Sequence, residues 1–152
     1  MYVSSKTILN IAMTKERKSI DLYTKLEEKF KDPMIKELVE QEKKHIEIAK
    51  QIFDKNSESF ASEGFENPYM DDTFLAEAFA SEGVYDKIDI QNLKKDELLD
   101  VALAKEKDSI VFYTQLIEIL GDDYSGEIGM IKQLRDQEKN HIMKIVELKK
   151  KK

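Results

Sequence analysis

An all-α fold, an antiparallel four-helix bundle made of two helical hairpins joined by a long crossover, is predicted by three observations. Four segments carry apolar residues at alternating steps of three and four, the spacing that lines one face of an α-helix. The last two of these segments repeat the first two. The composition agrees: 37% of the 152 residues are charged, 41% are apolar, and only 5 are Gly and 2 are Pro. Such a mixture favours helices with charged surfaces over a sandwich, a barrel or a disordered chain. A chain of this length is expected to form a single domain with a sizeable core.

The first stripe runs Leu9, Ala12, Glu16, Ser19, Tyr23, Leu26 and Phe30, with Ser4 or Ser5 placed to cap the helix. Asp32-Pro33 separates it from the second, with Pro33 near a first-turn position. The second stripe runs Ile35, Leu38, Glu42, His45, Ala49 and Ile52. These two helices form one hairpin, residues 4–54. The third stripe runs Leu99, Ala102, Glu106, Ser109, Tyr113, Leu116 and Leu120, with Asn92 as its candidate cap. A loop at 121–126 leads to the fourth stripe: Ile131, Leu134, Glu138, His141, Ile145 and Leu148. This second hairpin spans 93–150.

The hairpins match each other. Residues 12–28 align with 102–118 at an offset of 90, pairing Ala12/Ala102, Lys15/Lys105, Glu16/Glu106, Ser19/Ser109, Ile20/Ile110, Tyr23/Tyr113, Thr24/Thr114 and Leu26/Leu116. Gln41-Glu42-Lys43-Lys44-His45 aligns with Gln137-Glu138-Lys139-Asn140-His141 at an offset of 96. A duplicated hairpin buries its stripes by pairing with its copy. Between the hairpins, residues 55–92 show no long period. They hold Phe60-Ala61-Ser62-Glu63-Gly64 and again Phe79-Ala80-Ser81-Glu82-Gly83, and a short helix is expected over 72–81. A packing flap or an oligomer contact is the expected role of this crossover.

The net charge of −6 argues against a nucleic-acid backbone as partner. The run Lys149-Lys150-Lys151-Lys152 reads as a solvated helix end that complements the dipole. With 0 Cys there is no disulfide, thiolate metal site or cysteine nucleophile. No segment approaches ~18 consecutive apolar residues, so no membrane span is expected. The start, Met1 to Thr7, lacks a basic region followed by an apolar run, and a cytoplasmic location is the expectation.

Six ionisable residues interrupt the stripes: Glu16, Glu42, His45, Glu106, Glu138 and His141. Taken singly, a Glu or His on a stripe is usually a satisfied core residue. Here one Glu falls on each of four helices, and a His follows three residues later on the second helix of each hairpin, on the same face. A closed bundle brings four carboxylates and two imidazoles to one level of the core. Left uncompensated, each buried charge would cost several kcal/mol. No lysine occupies a stripe position, and protonating all four acids would require strongly raised pKa values. Two divalent cations balance four carboxylates, and neutral imidazoles complete their coordination. Mixed carboxylate and imidazole ligands suit iron or manganese, with zinc also possible; calcium and magnesium prefer all-oxygen shells.

These residues resemble the rubrerythrin branch of the ferritin-like di-iron carboxylate superfamily. The resemblance covers about 110 residues of the four helices. It rests on the Glu and Glu-x-x-His set, on Glu16-x6-Tyr23 and Glu106-x6-Tyr113, and on the Gln-Glu-Lys-Lys-His run. It implies a ferritin-like bundle with two iron ions per chain. Glu16 and Glu106 would then be terminal ligands, Glu42 and Glu138 bridges, and His45 and His141 ligands to one metal each. Tyr23 and Tyr113 read either as hydroxyl partners of ligand carboxylates or as plain core aromatics. Gln41 and Gln137 stand where they could accept the second N–H of an imidazole across the bundle.

The chain departs from rubrerythrins in two ways. Ser109 occupies the place of a further glutamate, and no cysteine-ligated rubredoxin domain is present, so electrons would come from a separate donor such as a rubredoxin. Bacterioferritins share the symmetric ligand set, but their haem depends on a second-helix Met, and no Met occurs between Ile35 and Phe53. Reduction of hydrogen peroxide, or of O₂, is the activity implied, and a homodimer the assembly. The alternatives are iron binding, sensing or ferroxidase chemistry without peroxidase turnover, and a structural bundle with a vestigial site.

Overall fold

The structure, a computed structural model, describes residues 2–3, 5–53, 65–66, 85–120 and 125–151. Ser4, both Phe-Ala-Ser-Glu-Gly runs, the helix expected over 72–81 and residues 121–124 of the second loop lie outside them, as does the side chain of Ser5. The fold is all-α: helices α1 (Ser5–Lys29), α2 (Pro33–Phe53), α3 (Lys95–Leu120) and α4 (Ser125–Lys150) pack as two hairpins in a four-helix bundle. A short antiparallel pairing joins β1 (Tyr2–Val3) to β2 (Phe65–Glu66), with Tyr2 opposite Glu66. Strands only two residues long are too short to carry a periodic signal.

All four stripes face inward. Every named residue of the second, third and fourth is buried. On the first, Ala12 to Leu26 are buried, Phe30 is half-buried at the bundle end, and the side chain of Leu9 is outside the described set. The polar layer divides the apolar core in two. Ile8, Ile11, Ala12, Ala49, Ile52, Leu116, Ile131 and Leu134 belong to one cluster. Leu22, Leu26, Ile35, Leu38, Leu98, Leu99, Ile145 and Leu148 belong to the other.

Neighbours α1 and α3 run antiparallel: Tyr23 reaches Glu106 while Tyr113 reaches Glu16. The same holds for α2 and α4, where His45 meets Glu138 and Glu42 meets His141. The start of α3 therefore lies beside the end of α1, and Lys29 Nζ donates to the carbonyls of Gln91 and Leu93 at 2.9 and 2.8 Å. Since α2 ends beside the start of α1, the connection must traverse the bundle. Its described parts follow α1 in order: β2 beside β1, Asp86 paired with Lys18, then Gln91 and Leu93 beside Lys29.

Asp32 caps α2, accepting from Met34 N–H at 2.9 Å, and Pro33 fills the first helical position. Asn92, the expected cap of α3, instead ends a 3₁₀ turn at Ile90–Asn92. The cap falls at Lys94, whose N–H donates to Glu97 Oε1 at 3.1 Å, so the glutamate three residues on does the capping. The loop expected at 121–126 is shorter, because Ser125 and Gly126 already belong to α4. The C-terminal lysines are more than a solvated end: Lys149 pairs with Asp100, and Lys151 with Asp32 at 3.0 Å.

Asp32→Ala removes both a helix cap and the Lys151 pair. It should cost about 1 kcal/mol, which for a chain of this size lowers Tm by about 2–4 °C. Thermal unfolding followed by circular dichroism measures it, and an unchanged Tm would show that the cap is not holding α2.

Candidate metal centre

Each of the six interrupting residues sits at mid-helix on a stripe, one step from apolar neighbours, so closing the bundle drives all six inward together. None is more than 1% exposed. The imidazoles of His45 and His141 stack across the α2–α4 seam, centroids 5.1 Å apart and planes within 9°. Both turn Nδ1 toward the carboxylates. Glu138 Oε1 lies 2.6 Å from His45 Nδ1, and Glu42 Oε1 lies 2.7 Å from His141 Nδ1. The second oxygen of each carboxylate faces the other ring, Glu42 Oε2 at 3.6 Å from His45 Nδ1 and Glu138 Oε2 at 3.9 Å from His141 Nδ1. Glu42 and Glu138 thus each span both imidazoles. Glu16 Oε2 lies 3.4 Å from His45 Nδ1, and Glu106 Oε1 lies 3.5 Å from His141 Nδ1, so each flanking glutamate attends one histidine. Glu42, His45, Glu138 and His141 form the tightest set, with one ligand atom from each lying within 4.8 Å of the others.

Several of these atoms are buried without a hydrogen-bond partner: both oxygens of Glu42, Oε2 of Glu16, Glu106 and Glu138, and Nδ1 of His141. Buried polar atoms are normally satisfied, and leaving one unmade costs about 1–3 kcal/mol. Oxygen and imidazole-nitrogen donors converging in this way are a fitting cradle for cations. In the protein alone the cluster relies on protons. Burial pushes the Glu42 carboxyl well above the ordinary range, reinforced by the charges of Glu16 and Glu106. Burial also works against the charged form of Glu16, but its interactions with Glu42 and His45, the charge of His45 and the Tyr113 hydroxyl outweigh it, taking its pKa to about 2. Burial opposes charge on His45 as well, yet Glu16 and Glu106 hold its pKa above normal.

The tyrosines reach across between hairpins. Tyr23 Oη–H donates to Glu106 Oε1, and Tyr113 Oη–H donates to Glu16 Oε1 at 2.8 Å. Burial and the surrounding carboxylates raise both phenols well above 10, so they remain protonated donors. On the outer side, His141 Nε2–H donates to Gln41 Oε1 at 2.8 Å, which leaves Nδ1 as the ring's lone-pair atom. Gln137 faces His45 and helps hold up its pKa, but His45 Nε2 closes no hydrogen bond. The repeat is imperfect here.

Two buried lysines escaped the stripe argument. Lys15 and Lys105, each preceding a flanking glutamate, are 1% and 2% exposed. Lys15 Nζ lies 2.6 Å from Asp108 Oδ2, and Lys105 Nζ lies over the Tyr85 ring at 4.2 Å. Their match across the repeat was the available signal. Position 108 matches Lys18 rather than an acid, and Asp86 from the crossover neutralises that lysine at 2.8 Å.

Among the described residues no helix is long and apolar enough to cross a membrane. Compared with protein families, curated proteins and solved structures, the chain matches none, and the reading of this centre rests on its own residues.

Proposed function

We propose that this chain is a non-haem di-iron redox protein that reduces hydrogen peroxide, or O₂, with electrons from a separate donor protein. The observation that carries this reading is the set of buried, partnerless carboxylate and imidazole atoms converging between the helices. Glu16 and His45 would hold one ion, Glu106 and His141 the other, and Glu42 and Glu138 would bridge them. A bound iron pair supplies two electrons to an O–O bond, so that H₂O₂ with two protons and two electrons gives two waters.

The chain's own contribution is to hold this donor set. The Tyr23 and Tyr113 phenols fix one oxygen of Glu106 and of Glu16 and leave the other free. Gln41 fixes the His141 ring with Nδ1 inward. Apolar clusters on both sides exclude water. The test is anaerobic loading with Fe²⁺, counting ions per chain, followed by mixing with peroxide. Two ions per chain and oxidation much faster than that of free Fe²⁺ are expected; a rate no faster would overturn the reading.

Ser109 favours a second reading, iron binding, sensing or ferroxidase chemistry without peroxidase turnover. It is buried one turn after Glu106, where it offers a hydroxyl in place of a further carboxylate. Multiple turnovers with a rubredoxin-like donor separate the two. Ser109→Glu should raise peroxide turnover about tenfold if the added carboxylate lowers the barrier by ~1.4 kcal/mol. Unchanged rates and spectra in the variant would mean this position has no part in the chemistry.

A further inference from the structure

A groove of about 540 Å³ lies on the α2–α4 seam, lined by Gln41, Lys44, Gln137, Asn140, Met143 and Lys144. Its floor leads to the centre: Gln41 Oε1 accepts from His141 Nε2 at 2.8 Å and from Lys144 Nζ at 3.2 Å. Among the described residues the lining carries two lysines, Lys44 and the Glu37-paired Lys144, and no carboxylate, on a chain of net charge −6. Nearby acids on these helices are held by cations: Glu37 by Lys144, Glu40 by Lys43, Glu47 by Lys50, and Asp136 by Arg135 and Lys139. Lys44 is exposed and enters no ion pair among the described residues. Among those residues three large apolar side chains are exposed, and one of them, Met143 at 68%, lines this groove.

An apolar contact beside a surplus positive charge, here Lys44, suits a transient complex with a partner of the opposite sign, steered on encounter and released quickly. We propose that this groove is the docking surface for a small acidic one-electron carrier protein that reduces the centre. The inference rests on the redox reading above. Gln41 and the His141 ring form the short route inward from the groove, whereas apolar clusters cover the centre toward the bundle ends. Each docking oxidises the carrier's iron–thiolate or flavin group by one electron, and two dockings supply the two electrons that one peroxide consumes.

Isotope-labelled full-length chain, loaded with zinc so that no electron moves, is titrated with an acidic gallium-substituted rubredoxin and, separately, with an acidic oxidised flavodoxin. At least one should shift amide signals around Lys44, Gln137, Asn140 and Met143, and its binding should weaken about tenfold between about 20 and about 200 mM salt. Lys44→Glu combined with Met143→Glu should weaken it by a further factor of at least about ten. Binding by neither carrier, shifts confined to another face, salt-independent binding or an unaffected variant each overturns the proposal. Metal content is measured in the same samples. A chain that takes up no metal refutes the redox reading by itself, and titration of the metal-free chain still decides the docking surface.

Discussion

Glu42→Ala is expected to abolish paired metal binding and, with it, the stabilisation that metal confers, while the metal-free bundle stays folded. Glu42 is the side chain whose two oxygens face both imidazoles, at 2.7 Å from His141 Nδ1 and 3.6 Å from His45 Nδ1, and neither oxygen has a hydrogen bond in the protein alone. If Glu42 bridges two ions as proposed, removing it takes a shared anionic ligand from both positions at once. Removing a flanking glutamate such as Glu16 affects one. At a metal concentration a thousand times Kd, binding stabilises a fold by about 4 kcal/mol. For a chain of this length that corresponds to roughly 10 °C in Tm. The wild type should show such a rise on loading, and Glu42→Ala should show none.

The metal-free comparison runs the other way. Burial disfavours the Glu42 carboxylate, so deleting it relieves an electrostatic cost, against a penalty for the space left behind. These effects oppose each other, and the metal-free Tm should move by only a few degrees in either direction, as Glu138→Ala should also show. Calorimetry with and without added metal, with ions counted per chain, measures both halves. A variant that still binds two ions, or that loses helicity equally in both forms, would make Glu42 an ordinary structural residue.

Much of this arrangement was legible because the helices are long and the stripes regular. More than two helical turns on each side of Glu42 and Glu138 fix which face is buried, so the burial of the six polar residues followed from spacing alone. Gln41 was readable in the same way, since it stands one residue before Glu42 and the antiparallel seam brings it to His141. What spacing does not encode is where a long side chain ends. Lys15 and Lys105 lie one residue off the stripe, yet both are buried and their ammonium groups reach Asp108 and Tyr85. The α3 start was misplaced because capping was read from Asn92 as a side chain before the helix. Here Glu97 reaches back from inside it to the Lys94 N–H. The direction of α3 is set by tertiary contacts rather than by its own pattern. A connection of some forty residues can end at either end of a bundle, and only contacts such as Tyr23 to Glu106 settle it.

Without metal, the protein should be most stable in mild acid and lose stability as pH rises to 8; with metal bound, that loss should disappear. The direction follows from three groups. Glu42 has a folded pKa well above its unfolded value near 4.5, so above that pH the unfolded chain releases a proton that the folded chain keeps, and stability falls. His45 is raised above 6.5; its contribution is fully present below that pH and is lost as pH climbs through the folded value. Glu16 is lowered to about 2, so its contribution is present above 4.5 and is lost only as pH falls toward 2. Each proton retained on folding steepens the decline by about 1.4 kcal/mol per pH unit. Bound cations displace these protons, so metal uptake should acidify a weakly buffered solution, and the gap in Tm between loaded and metal-free protein should widen from pH 5 to pH 8. Calorimetry at pH 5, 6.5 and 8 measures that gap. A metal-free Tm that stays level or rises over this range would mean that the carboxylates are not held in the core by protons, and that the charge balance on which the dimetal reading depends is met by some other group.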